Sequence, residues 1–271
     1  MEILLMVMIF ILGLCLGSFV NMLVYRVAVK YKLISKSKFI VADKNRSFCD
    51  GCGRQLRWYE NVPVISWLIQ KGKSRCCQKK LSFLYPIVEL ITGILLMVVV
   101  FRFNLLSSDL PIMLEVVRLF FAMVLITLLV FSAVFDIKYL ILPDFATITL
   151  IVMSFLGVVF DEPNIIPYLL SALGAFSFLG VLYLVTKGKG MGFGDVKLAI
   201  FMGLFLGYPN IIIAIYIAFI VGALVGLMGM ISKKMTKKTQ IPFGPFLILG
   251  TFVAWIWGNK ILDLVVFQFF R

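Results

Sequence analysis

Apolar runs of spanning or near-spanning length alternate with short polar breaks along almost the whole chain. The first run covers Ile3 to Tyr25, and others follow at 87–103, 112–135, 145–160, 165–186, 196–208, 210–231 and 242–257. A membrane helix needs about 20 predominantly apolar residues, and several of these runs are shorter. The pattern predicts an all-α polytopic membrane protein with about eight transmembrane helices. The breaks carry residues that end helices: Asn104 to Pro111, Pro143-Asp144, Asp161-Glu162-Pro163-Asn164, Tyr208-Pro209-Asn210 and Pro242. One polar stretch is long, the cysteine-containing loop from Arg26 to Lys80 between the first two helices. The first run lacks a basic leading region and a small-residue cleavage site, and reads as a retained anchor. Its Gly13, Gly17 and Ser18 share one face, which suits close helix packing. Asn21, near its inner end, predicts a hydrogen bond to a neighbouring helix. Within the loop, Trp58, Tyr59, Val62, Val64, Ile65, Trp67, Leu68 and Ile69 form an aromatic-rich patch. It suits a membrane interface, the preferred reading, or the core of a small loop domain.

Composition agrees: the 271 residues are 62% hydrophobic and only 14% charged, with mean hydropathy +1.08. A net charge of +13 would suggest nucleic acid in a soluble protein. Here the position of the cations argues for topology instead. The loop 26–80 holds 14 Lys/Arg against three acids, Asp43, Asp50 and Glu60. Counted over 26–80, 136–144, 187–197 and 232–241, the total is 22 of the 26 Lys/Arg. Excess Lys and Arg mark the cytoplasmic side, so these segments are inside and the N-terminus is outside. No nucleic-acid partner is implied. The chain has no histidine, which excludes Ser-His-Asp and Cys-His catalysis and any His-ligated metal.

The chain is organised around Gly190-Met191-Gly192-Phe193-Gly194-Asp195-Val196-Lys197. A charge at a helix centre costs roughly 2.5–3.5 kcal/mol on insertion scales, so an acid within a membrane bundle has a functional role by default. The predicted topology ends the third helix at Asp136 and starts the sixth at Asp195, both near the cytoplasmic face. Two carboxylates at one depth in a low-dielectric site suit aspartyl proteolysis, because the pair cannot both ionise and shares one proton. Structural readings stand beside this. Asp195 suits a helix cap, Asp136 an ion pair with Lys138, and Asp144 a cap after Pro143. Glu89 suits the start of the second helix, where a negative charge meets the positive end of the dipole. Three glycines before Asp195 exceed what a cap requires, which favours chemistry at Asp136 and Asp195.

Gly192-Phe193-Gly194-Asp195 resembles the GxGD signature of intramembrane aspartyl proteases. The wider context resembles the bacterial type IV prepilin peptidase family. The matching stretches are Leu16 to Asn21, Arg57 to Trp67, Tyr85 to Leu90, Asp136 to Asp144, and Ile241 to Phe246, in the family's order. The resemblance implies two activities. One is cleavage of the basic leader of pilin-like precursors at the cytoplasmic face, with Asp136 and Asp195 as the catalytic pair. The other is N-methylation of the new N-terminal residue with S-adenosylmethionine, with Gly72 and Glu89 as the residues associated with that cofactor. It further implies an N-terminal region 1–103 associated with methylation, a peptidase domain 104–271, and the cytoplasmic membrane of a bacterium as the location, with lipid as surroundings.

Cys49-Asp50-Gly51-Cys52 is a CxxC in a loop predicted to face a reducing compartment, where zinc is a better reading than a disulfide. Against the family's paired CxxC motifs this chain departs. Ser74 stands at the third cysteine position, Cys77 at the fourth, and Cys76 is extra. Two readings compete for the candidate ligands Cys49, Cys52, Cys76 and Cys77: Cys76 replaces the missing thiol, or another group completes the set. Cys15 lies in the first helix and reads as a small apolar packing residue.

Overall fold

A computed structural model of the protein describes residues 2–34, 47–49, 51–102, 112–233, 236 and 239–269. The whole break from Asn104 to Pro111, Asp43, Asp50 and the cations Lys36, Lys38, Lys44, Arg46, Lys234, Lys237, Lys238 and Arg271 lie outside the described residues. Among the described residues the structure is helical, with two isolated β-bridges and no strand. The elements are α1 (Glu2–Lys30), a 3-10 turn at Trp58–Glu60, α2 (Ile65–Ile69), α3 (Leu84–Arg102), α4 (Ile112–Tyr139), α5 (Asp144–Asp161), α6 (Ile166–Val185), α7 (Phe193–Leu206), α8 (Asn210–Ile231) and α9 (Gly244–Phe269). Apart from the five-residue α2, these are the eight helices that the apolar runs predict. Six, namely α1, α3, α4, α6, α8 and α9, are long and apolar enough to cross a membrane.

The chain divides into two compact units, Met1–Phe131 and Ser132–Arg271, with α4 contributing to both. In the first unit α1 packs along α3. The small residues make this possible: a Cβ on Gly13 would lie 2.7 Å from the Gly93 Cα, and one on Gly17 would lie 2.5 Å from the Glu89 Cα. Asn21 donates from Nδ2 to the Tyr85 carbonyl at 3.2 Å, the interhelical bond expected of it.

In the second unit α7 is the hub and packs against α5, α6, α8 and α9. Val196, Leu198, Ala199, Phe201 and Met202 have no exposed surface. A helix apolar all round suits such a central position. Its 14 residues span about 21 Å, less than the ~30 Å hydrocarbon core, so one end stops inside that thickness. Large apolar side chains such as Phe160 (81% exposed) and Leu170 (62%) face outward, as lipid-facing residues do.

Candidate active site and thiol cluster

Asp136 sits one turn before the end of α4 and is 5% exposed. The helix stops because Leu140 adopts a left-handed conformation (φ 56°) and its N–H bonds the Asp136 carbonyl at 2.8 Å. The Asp136 Oδ2 accepts the Gly244 N–H at 3.0 Å, 108 residues away. Gly244 opens α9, and a Cβ there would lie 2.8 Å from Asp136 Oδ2. The glycine is required because the carboxylate comes this close to the backbone.

Asp195 is the third residue of α7 and also 5% exposed. Gly192, not Asp195, is the cap residue of α7; Asp195 reaches back from the third helical position, and its Oδ2 accepts the Gly192 N–H at 3.0 Å. The other oxygen, Oδ1, is buried without a partner among the described residues. Such an atom carries a desolvation cost that a water or substrate would relieve. Asp136 and Asp195 lie within electrostatic reach of each other.

Leu142, in the α4–α5 connection, holds these parts together. A Cβ on Gly194 would come 2.8 Å from Leu142 Cβ, and one on Gly244 would come 3.4 Å from its Cδ1. The turn before Asp195 and the turn that bonds Asp136 thus close on one leucine. Asp144 opens α5 but makes no cap bond; Pro143 is the cap residue. Its Oδ1 instead meets Lys197 Nζ at 2.6 Å, and that ammonium also lies 5.3 Å from the Phe193 ring centroid. The pair ties the start of α5 to the first turn of α7.

The thiol cluster belongs to the first unit. Two turns of equal length build it. Phe48 and Gln55 form one antiparallel bridge, and Lys73 and Lys80 form the other. Within them the Cys49 N–H bonds the Arg54 carbonyl and the Ser74 N–H bonds the Lys79 carbonyl, each at 2.8 Å. Ser74 is thus the structural counterpart of Cys49, and Cys77 that of Cys52. Cys76 nevertheless brings its sulfur into the group: the Sγ atoms of Cys49, Cys52, Cys76 and Cys77 all lie within 4.8 Å of one another. Cys52 and Cys76 sulfurs are 3.1 Å apart, and Cys49 and Cys77 sulfurs 3.7 Å. Four thiolates around a tetrahedral zinc stand about 3.8 Å apart, so the set fits that ion. The Ser74 hydroxyl lies between, 3.2 Å from Cys49 Sγ and 2.9 Å from Cys76 Sγ. Burial pushes the Cys49 thiol up, but hydrogen bonds from Ser74, the Gly51 and Cys52 backbone and Cys76 outweigh it and bring the thiol down to about 6. Cys52 is pushed up to about 12, first by its hydrogen bond with Cys76.

Gly72 and Glu89 meet opposite ends of α2. The Glu89 Oε2 accepts the N–H of Val64, the residue before α2, at 2.7 Å. The Gly72 N–H bonds the Trp67 carbonyl at 3.0 Å, and its left-handed turn (φ 67°) packs on the Trp67 ring. Among the described residues two buried polar atoms of the first unit have no partner: Asn21 Oδ1 on α1 and Trp67 Nε1 on α2. On α2 itself Ile65, Leu68 and Ile69 are exposed, as an interfacial segment would be.

Comparison with known proteins gives two family matches. Residues 11–103 match the bacterial peptidase A24 N-terminal domain, and residues 123–227 match the type IV leader peptidase family. A prepilin leader peptidase/N-methyltransferase of Bacillus subtilis (strain 168) is 32% identical, over 95% of this chain and 96% of the relative. One from Xanthomonas campestris pv. campestris is 36% identical, over 78% of this chain and 72% of the relative. One from Stutzerimonas stutzeri is 31% identical, over 93% and 90%. No solved structure matches the chain.

Proposed function

The chain belongs to the type IV leader peptidase family, and on that footing we propose that Asp136 and Asp195 are its catalytic dyad. The protein is an integral multi-pass enzyme of the bacterial inner membrane. It cleaves the leader peptide of type IV prepilin-like proteins and N-methylates the new N-terminal residue.

The observation that carries the dyad is the spare Oδ1 of Asp195, buried and unpartnered within reach of a second buried carboxylate. Two interacting carboxylates buried from water do not both ionise readily, so in this reading the pair holds one proton. The ionised member takes a proton from water as that water attacks the peptide carbonyl. The protonated member donates to the carbonyl oxygen and later helps the amine depart. The Gly192 and Gly244 N–H groups each hold one carboxylate oxygen, which leaves the others for water and substrate. In the test, Asp136→Asn and Asp195→Asn each abolish leader cleavage, while both variants still methylate a pre-cut pilin. Cleavage surviving in either variant would refute the dyad.

The cation distribution supports an outside N-terminus with the acids at the cytoplasmic face. The two family matches support a methylation-associated region at 1–103 and a peptidase domain at 104–271. Zinc held by Cys49, Cys52, Cys76 and Cys77 would supply a cross-link to a loop with little core of its own. The methyl donor is S-adenosylmethionine. Trp67 Nε1 on α2 is a buried donor without a partner among the described residues, which supports a polar ligand there. Glu89 and Gly72 hold the two ends of α2.

A further inference from the structure

Peptide cleavage leaves a new N-terminal amine on the product. At neutral pH that amine is mostly protonated, with an ordinary value near 7.7–8.0. It must lose its proton before it can attack a methyl group. The chain has no histidine to take that proton.

The carboxylates of the first unit differ in their surroundings. Glu60 is committed to Arg54, at 2.6 Å, and to the Arg57 N–H at 2.8 Å. Glu115 near the start of α4 has an interaction of its own. Glu89 is 7% exposed, and the groups facing it are neutral: the Val64 N–H from the loop and Ser18 from α1. Glu89 lies five residues into α3, about 7.5 Å from its loop-side end. On α1, Asn21 bonds the Tyr85 carbonyl and keeps its Oδ1 unspent, a second acceptor for an ammonium beside Glu89.

From this placement we infer that Glu89 is the receptor and general base for the product's N-terminal ammonium in the methylation step. The inference rests on the reading that the first unit carries methylation. The ammonium gives one proton to the Glu89 carboxylate. The freed lone pair forms the new N–CH3 bond as the C–S bond of the methyl donor breaks and its electron pair stays on sulfur. The methylated amine carries the positive charge that the sulfonium loses, and Glu89 returns its proton to water.

Glu89→Gln tests this without removing the clamp, because the amide oxygen still accepts from Val64 and Ser18. The enzyme is held in nanodiscs with a leaderless prepilin peptide, either free or acetylated at its N-terminus. Without methyl donor, wild type binds the free amine about tenfold more tightly, the scale of a charge-assisted hydrogen bond, and Glu89→Gln binds both forms alike. With donor, the variant methylates slowly at pH 7 and recovers as pH rises through about 8, where the amine deprotonates unaided. Three results would overturn the inference: wild-type methylation by the variant at pH 7, no recovery at pH 9, or no preference for the free amine in wild type. Glu89→Gln binds the acetylated peptide as wild type does, which shows that the site is still folded; loss of that binding would mark Glu89 as structural and would equally overturn the assignment. The Asp136 and Asp195 variants report separately on the peptidase reading.

Discussion

Gly244→Ala puts one methyl group against the carboxylate of Asp136. The added Cβ would stand 2.8 Å from Oδ2, whereas a carbon and an oxygen in contact prefer about 3.3 Å or more. The carboxylate must retreat by about 0.5 Å. Its bond to the Gly244 N–H, now 3.0 Å, then stretches toward about 3.5 Å, where a hydrogen bond is nearly gone. A hydrogen bond to a charged group is worth about 1.5–3 kcal/mol. Expressed in the transition state, that is about ten- to a hundredfold in rate. Leader cleavage in nanodiscs should fall by that factor with little change in KM, and methylation of a pre-cut pilin should stay within about twofold. Gly157→Ala and Gly174→Ala are the controls, because nothing lies within 4 Å of a Cβ at either site. They should cleave at the wild-type rate. Normal cleavage by Gly244→Ala would refute the claim that this backbone N–H positions Asp136.

Two further outcomes follow from the ion pair and the thiols. Lys197→Met should slow cleavage several-fold, and the swap Lys197→Asp with Asp144→Lys should recover part of it, since the 2.6 Å pair joins α5 to α7; equal rates in all variants would make the pair incidental. Cys49 has a depressed value of about 6. Its stabilising thiolate interactions are therefore complete above the ordinary thiol range near 8.5 and lost as pH falls through about 6. Zinc should be present at about one per chain at neutral pH and fall as the medium is acidified, because a thiol must lose its proton to ligate; protein free of zinc at neutral pH would contradict the thiolate set.

The helices were largely legible because membrane spans follow from run length alone. Asp195 was legible too, since an acid behind three glycines has few bland explanations. The partner of Asp136 was not. The Ile241 to Phe246 stretch stood out as a motif, but the Gly244 N–H reaches Asp136 only through packing of chain segments 108 residues apart. Local rules misled at Asp144: a carboxylate after proline suits a cap, yet Lys197 of another helix offers a full opposite charge. At the thiols, spacing alone left Ser74 and Cys76 as competitors. The two bridged turns resolve their positions, with Ser74 taking the backbone place of Cys49 and Cys76 reaching in from beside Cys77.

One proton shared between Asp136 and Asp195 is the claim on which the peptidase mechanism turns, and the pH–rate profile of leader cleavage tests it most directly. At low pH both carboxyls are protonated and no base remains; at high pH both are ionised and no acid remains. Wild-type kcat/KM should therefore trace a bell with an acidic and a basic limb. A profile with a single limb, or none, would contradict it.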